Sequence, residues 1–308
     1  MTAARNRIEA ILGKGFVEQV LYDEPVSRHA SLGVGGKADA MIVIKNETQL
    51  ADIVKKLKEA EVNYLPVGNL TNVIVRDGGY KGAILLMKEL NEVKYYQSQE
   101  GAHYIFAQAG ASLSSIVSVA VEEELAGMEC FAGIPGSVGG ALRMNAGAYG
   151  KEIKDVISKI HMIDNQGDKQ ELNKEEISFG YRKADFPPGA IIVGADFLLG
   201  KGTKSEIKKQ IYEIMEWRRN NHPLEYPSAG SIFKNIFGRP AGKIIEELGL
   251  KGTSRGGAKI STKHANFIIN EGNATASDVL ELIGLIQSRA KKEKGIVLET
   301  EVIVVGES

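Results

Sequence analysis

Residues 133–150 read GIPGSVGGALRMNAGAYG, a glycine-rich run with Arg143 as its only charged side chain. Glycine lacks a Cβ, permits positive φ and leaves amide N–H groups open, so such a run admits a phosphate or a flat cofactor that side chains would exclude. Glycine clusters also make mobile loops and tight turns. Three details favour an ordered cofactor segment. Ile134, Val138, Leu142 and Met144 are apolar and call for burial rather than for a solvated linker. Pro135 fixes one φ and suits a rigid turn. Ser137, Asn145 and Tyr149 supply donors and acceptors suited to cofactor oxygens and ring nitrogens.

The chain has 308 residues, room for two or three domains at about 100–200 residues each. A net charge of -1 gives no reason to expect nucleic-acid binding. A single cysteine, Cys130, allows no intrachain disulfide, which suits a reducing cytosol. Residues 1–15 mix Arg5, Arg7, Glu9 and Lys14 among apolar positions, unlike a secretory signal. No apolar run approaches the roughly 18 residues needed to span a membrane. His29, His103, His161, His222 and His264 lie far apart without ligand-like spacing, so no metal site is expected.

Residues 48–60 place Leu50, Ile53, Val54 and Leu57 on one helical stripe with Thr48 as cap, and 64–67, 73–76 and 83–87 are short β-type runs. A second α/β unit starts near Val93. There 104–109 reads as a strand and Ser112 as the cap of a helix carrying Leu113, Ile116, Val117, Ala120 and Val121; the glycine-rich run follows, then β-type runs at 157–163 and 191–199. From about Lys201 the texture becomes that of a separate α+β domain. Ser205 caps a long helix with Ile207, Ile211, Ile214 and Met215 on one face, Pro240 starts a helix ending at Gly249, and Ser277 caps another carrying Val279, Leu280, Ile283 and Ile286. Between residues 234 and 264, Lys234, Arg239, Lys243, Lys251, Arg255, Lys259 and Lys263 face only Glu246 and Glu247. Such a run is usually a solvated face; interleaved with Gly252, Gly256 and Gly257, it also suits a phosphate-bearing ligand.

Four further segments stand out. Residues 65–82 read LPVGNLTNVIVRDGGYKG, a turn with backbone donors between strands; 177–186 read ISFGYRKADF; 226–235 read YPSAGSIFKN; and 296–305 read IVLETEVIVV. In the last, Glu299 and Glu301 share a strand face, and spacing does not choose between them. Arg182 alone reads equally as a surface ion-pair arginine, and Ser231 as a turn hydroxyl. Together with SLGVGGKAD at 31–39 and the glycine-rich run, these segments resemble the UDP-N-acetylenolpyruvoylglucosamine reductase (MurB) family of peptidoglycan synthesis, in the family's order and over nearly the whole chain.

The resemblance implies an α+β protein with two α/β FAD-binding subdomains of the PCMH/vanillyl-alcohol-oxidase type and a C-terminal α+β substrate domain. The subdomains would be 1–92 and 93–203, the second joined by the closing strand 296–308, and the substrate domain 204–295. It implies non-covalent FAD, held by Gly68, Asn69, Thr71 and Asn72 and by Gly133, Ile134, Pro135, Gly136, Ser137, Gly139, Gly140, Asn145, Ala146, Gly147 and Tyr149. NADPH would be the hydride donor, UDP-N-acetylglucosamine enolpyruvate the substrate, and the cytoplasm the location. Arg182, Ser231 and Glu301 match the family's catalytic positions, and Lys234, Asn235, Arg219, Lys251 and Lys259 would reach the substrate or its diphosphate.

The implied chemistry accounts for those residue types. Hydride from flavin N5 adds to C3 of an α,β-unsaturated carboxylate, which pushes charge onto the carboxylate and leaves a basic C2. A permanent bidentate cation, Arg182, stabilises that charge. A carbon so basic takes a proton from a neutral hydroxyl, Ser231. Glu301 must be protonated to help rather than repel, which burial favours. The chain departs from the family pattern in the turn, where Gly68-Asn69-Leu70-Thr71-Asn72 has Leu70 in place of a glycine and Thr71 in place of serine, and at Ala184 and Ile236. The short interval from Arg182 to Ser231 resembles the compact subgroup without a tyrosine-bearing lid loop. The nearest rival is an oxidase or dehydrogenase that attaches FAD covalently, through His29 or Cys130; a non-catalytic flavin- or nucleotide-sugar-binding protein is the other.

Overall fold

Buried Ile105 and Ala107 alternate with half-buried Tyr104 and Phe106, which gives the strand His103–Gln108 one face for a core and one for solvent. That strand belongs to a computed structural model describing residues 3–13, 19–236 and 238–308; of the N-terminal segment read above, residues 1, 2, 14 and 15 lie outside these. The helices are α1 (Ala3–Leu12), α2 (Glu47–Glu59), α3 (Leu113–Glu122), α4 (Val138–Arg143), α5 (Lys204–Asn221), α6 (Ala241–Glu247) and α7 (Ala276–Lys294). Two compact units share the chain. Unit 1 takes the described residues of Met1–Leu21 with Ala40–Asn69 and Gly82–Arg218, and unit 2 takes Tyr22–Asp39, Leu70–Lys81 and Arg219–Ser308.

In unit 1 an antiparallel sheet runs in the order Lys169–Asn173, Ile157–Ile163, Ile191–Lys201, His103–Gln108, Val93–Gln97, with the short Leu125–Ala126 also paired to Ile191–Lys201. Its inner face buries Ile105, Ala107, Ile160, Met162, Ala195 and Phe197 against α3 and α4. Ser112 caps α3 as expected, accepting the Ser115 N–H. Helix α2 buries the expected Leu50, Ile53, Val54 and Leu57, but its cap is Asn46, which accepts the Gln49 N–H and leaves Thr48 inside the first turn. The strand Tyr64–Val67 pairs in parallel with Tyr80–Leu86, from Tyr64 opposite Ala83 to Val67 opposite Leu86. Helix α5 starts before Ser205, and of its expected face only Ile207 is fully buried, together with Arg218.

Unit 2 holds an antiparallel sheet in the order Ser228–Ser231, Phe267–Asn270, Ala258–Ile260, Ser254–Arg255, packed on α6 and α7 through Ile244, Ile245, Ile260, Ile268, Val279, Leu282 and Ile286. The cap of α7 is Thr275 rather than Ser277. Thr275 and Asp278 satisfy each other's backbone N–H groups, while Ser277 donates its hydroxyl to Asp77. Pro240 takes the N-cap position of α6, and Gly249 follows the helix at φ +68°.

The closing segment corrects one expectation. Only Ile303–Val305 is a strand, and it pairs in parallel with Val73–Val75 of unit 2 instead of joining 93–203. A parallel partner so far away in sequence leaves no local signature.

Candidate active site

The glycine-rich run of unit 1 is folded by close backbone approach. A Cβ on Gly68 would fall 2.0 Å from Ser137 Oγ, and one on Gly147 2.3 Å from the Lys151 carbonyl oxygen. Gly133, at φ +73°, packs so tightly on α5 that a Cβ would lie 2.7 Å from Met215 Sδ and 2.8 Å from Arg218 Cδ. The two segments expected to hold FAD therefore meet at Gly68 and Ser137. Ser137 is buried and caps α4 through the Gly140 N–H at 3.4 Å. The Gly139 N–H goes to the Ala109 carbonyl at 2.8 Å. Val138 and Leu142 are buried as expected, whereas Ile134 and Met144 are half-buried. Asn145 is fully buried: its Nδ2 donates to Glu152 Oε2 and the Gly180 carbonyl, both at 3.0 Å, and its Oδ1 accepts the Lys154 N–H at 3.2 Å. Its side chain thus ties the run to the hairpin of Ser178–Gly180 and Lys183–Asp185.

Arg182 stands in the two-residue turn of that hairpin at φ +54°. Its Nη2 donates to the Gly147 carbonyl at 2.9 Å, and its guanidinium lies 5.2 Å from the Tyr181 ring centroid. One catalytic candidate is thereby anchored on the glycine-rich run. Two residues after Gly147, Tyr149 is held at φ +53°, with the Arg218 guanidinium 5.8 Å from its ring centroid.

Arg218 is the residue that sequence reasoning missed in favour of Arg219. It is 8% exposed, its Nε has no hydrogen-bond partner, and no carboxylate among the described residues pairs with it. Burial lowers its pKa, partly offset by Tyr149 and Cys130. A signal existed in the sequence: an arginine in phase with Ile207, Ile211 and Ile214 belongs to the buried stripe of α5. An uncompensated buried cation beside a glycine-rich run fits an anionic dinucleotide, and so fits FAD.

In unit 2 the strand Ser228–Ser231 ends beside the segment 299–302. The Glu301 N–H donates to the Ile232 carbonyl at 2.8 Å, and the Lys234 N–H to that of Glu299 at 2.9 Å. Ser231 and Glu301 are thus brought to neighbouring positions. Asn266, 2% exposed, locks this arrangement: its Oδ1 accepts the Phe233 N–H at 3.0 Å and its Nδ2 donates to the Phe233 carbonyl at 2.8 Å. The Asn72 amide, in the turn expected to hold the cofactor, donates to the Glu301 carbonyl at 3.0 Å. In the same turn Leu70, in the place of a glycine, takes φ +48° with its side chain buried.

The structure separates the two glutamates that spacing left equal. The chain bends at residues 301 and 302, so strict alternation does not hold; Glu301 is half-buried, while Glu299 is exposed and pairs with Lys234 at 3.3 Å. The cationic run is paired partly from within, Arg239 with Glu247 and Lys251 with Glu246, and partly from elsewhere in unit 2, Lys259 with Glu271 and Lys263 with Glu225. Asn235 Oδ1 accepts the Ala241 N–H at 3.0 Å, and the Arg219 carbonyl accepts Lys263 Nζ at 2.7 Å. Arg182 belongs to unit 1, whereas Ser231, Glu301 and the five substrate candidates belong to unit 2. Among the described residues no group of three or more His, Cys, Asp or Glu could hold a metal ion, and no helix is long and apolar enough to cross a membrane.

Comparison with known proteins points to one family. Residues 222–305 match the profile described as UDP-N-acetylenolpyruvoylglucosamine reductase, C-terminal domain, and residues 38–173 that described as FAD binding domain. The UDP-N-acetylenolpyruvoylglucosamine reductase of Syntrophus aciditrophicus (strain SB) is 46% identical over 94% of this chain and 92% of its own. That of Geobacillus thermodenitrificans (strain NG80-2) is 40% identical over 98% of this chain and 97% of its own. The crystal structure of UDP-N-acetylenolpyruvylglucosamine reductase (MurB) from Thermus caldophilus is similar at a TM-score of 0.77 and 33% identity, covering 93% of this chain and 98% of that one. The fold, the residues gathered in each unit and these relatives lead to one conclusion: the chain belongs to the UDP-N-acetylenolpyruvoylglucosamine reductase family.

Proposed function

We propose that this protein uses NADPH and non-covalently bound FAD to reduce the enolpyruvyl double bond of UDP-N-acetylglucosamine enolpyruvate, giving UDP-N-acetylmuramate for peptidoglycan synthesis in the cytoplasm. The observation that carries the reading is the placement of backbone strain. Of the eight non-glycine residues with left-handed φ among the described residues, four lie in the segments assigned to cofactor and catalysis: Leu70, Asn145, Tyr149 and Arg182. Each such residue costs roughly 1–2 kcal/mol, and strain of this kind gathers at sites whose geometry serves a ligand.

Bound FAD supplies hydride transfer, from NADPH to C3 of the enolpyruvyl group. Arg182, oriented by its bond to Gly147, binds the substrate carboxylate and stabilises the charge that develops there. Ser231 gives its hydroxyl proton to C2. Glu301, half-buried on the ladder next to Ser231, is the second polar group at that carbon. Lys234 and Asn235 are the nearest substrate anchors in sequence, with Arg219, Lys251 and Lys259 further ones. FAD is held by Gly68, Asn69, Thr71 and Asn72 and by 133–149, with Arg218 facing its negative charge. Cys130 is buried and its thiol is pushed up to about 11, which makes it a poor nucleophile for covalent attachment of the flavin. The division into 1–92, 93–203 and 204–295 belongs to the same proposal, supported by the confinement of the large antiparallel sheet to 93–201.

Ser231→Ala tests the assignment. NADPH should still bleach the flavin, while reoxidation by the enolpyruvyl sugar slows about 10²–10⁴-fold, the range of a general acid. An unchanged reoxidation rate would remove Ser231 from the mechanism.

A further inference from the structure

Trp217, the only tryptophan of the chain, lies near the end of α5 and is 48% exposed. Its indole meets the Tyr149 ring edge-on, with centroids 6.0 Å apart and planes at 85°. Tyr149, itself 49% exposed, lies over the buried Arg218 guanidinium. The Trp217 ring, half open to water, offers a flat apolar wall outside the glycine-rich run. The planar base of a nucleotide has the matching chemistry. The tight glycine-rich run suits a ligand that stays, whereas a half-exposed indole beyond it suits one that exchanges with solvent.

We infer that Trp217 is a positioning residue that stacks on the planar ring of the exchangeable diphosphate-bearing nucleotide, NADPH or the UDP-sugar, an inference that rests on the function proposed above. In the FAD-loaded enzyme, Trp217→Ala should raise the KM of one of these two substrates about tenfold, the size of a single base-on-aromatic stack, with a far smaller change in kcat. Trp217→Phe should restore most of the loss. The KM that moves names the ligand. The indole fluorescence of the wild-type enzyme, which comes from Trp217 alone, should change saturably with NADP+ or with UDP-N-acetylglucosamine, whichever the KM identifies. Two unchanged KM values overturn the inference. So does a joint loss of kcat and FAD content that Trp217→Phe does not rescue, because it marks Trp217 as packing for the Tyr149 loop. A wild-type enzyme that binds FAD and fails to oxidise NADPH removes the proposed function and this inference with it, a result distinct from either failure of the variants.

Discussion

In unit 1, a Cβ on Gly68 would fall 2.0 Å from Ser137 Oγ; in unit 2, Phe233 gives both of its backbone polar groups to the Asn266 side chain. The first region is shaped by what is missing, the side chains that would hold its own backbone segments apart. The second is shaped by what is present, one buried amide that holds Phe233 between the two backbone bonds joining the strand of Ser231 to the segment of Glu301. Holding a cofactor calls for close backbone approach, whereas moving a proton calls for side chains fixed relative to one another. The two regions should therefore fail differently when altered.

After Ser231→Ala, the largest effect is expected at Arg182. Arg182→Lys keeps the charge and loses the planar fork, so flavin reoxidation by the enolpyruvyl sugar should fall about 10²–10³-fold, as it does when a preorganised donor to a developing oxyanion is lost. Stopped-flow absorbance checks this. Asn266→Ala leaves two buried backbone groups of Phe233 unmet and should cost about 2–4 kcal/mol in urea unfolding. It should also slow the proton-dependent half-reaction more than flavin reduction. Gly68→Ala crowds Ser137 and should cost about 1–3 kcal/mol, with its clearest effect on FAD affinity measured by titration of the apoprotein. Adding Ser137→Gly should recover part of that loss, because the two positions are in contact. If Gly68→Ala harmed proton transfer and Asn266→Ala harmed FAD binding, the contrast between the regions would be reversed.

The smallest effect lies away from both regions, on the outer face of the large sheet. Asp196 accepts the Tyr96 hydroxyl at 3.0 Å and bonds His161 Nε2 at 2.8 Å, and Glu171 lies 3.3 Å from His161 Nδ1. The bond to Asp196 raises the His161 pKa above its ordinary 6.5, against the opposing effect of burial. A raised histidine pKa stabilises the folded state fully below the unfolded value and loses that contribution as pH climbs through the folded one. Stability should therefore fall as pH rises from about 6.5, and His161→Gln should flatten the profile.

What could be read in the sequence was local. The stripe of α2, the Ser112 cap and the crowding of glycine at 133–150 follow from neighbours within a few residues. The caps at Asn46 and Thr275 were displaced by two residues because several capping residues compete within one turn. The distinction between Glu299 and Glu301 needed the bend at 301 and 302, the role of Asn266 needed a ladder across 33 residues, and the pairing of Ile303–Val305 with Val73–Val75 needed a partner far away in the chain. Arg182, Ser231 and Glu301 could be singled out only through the resemblance of their surrounding segments, since each residue alone has an ordinary structural reading.

The most direct test of the central claim is the anaerobic visible spectrum of the purified, FAD-loaded protein after one equivalent of NADPH and then of UDP-N-acetylglucosamine enolpyruvate. The flavin should bleach on the first addition and regain its yellow absorbance on the second. Bleaching without recovery would contradict the proposed substrate, and a protein that stays colourless when supplied with FAD would contradict the cofactor assignment itself.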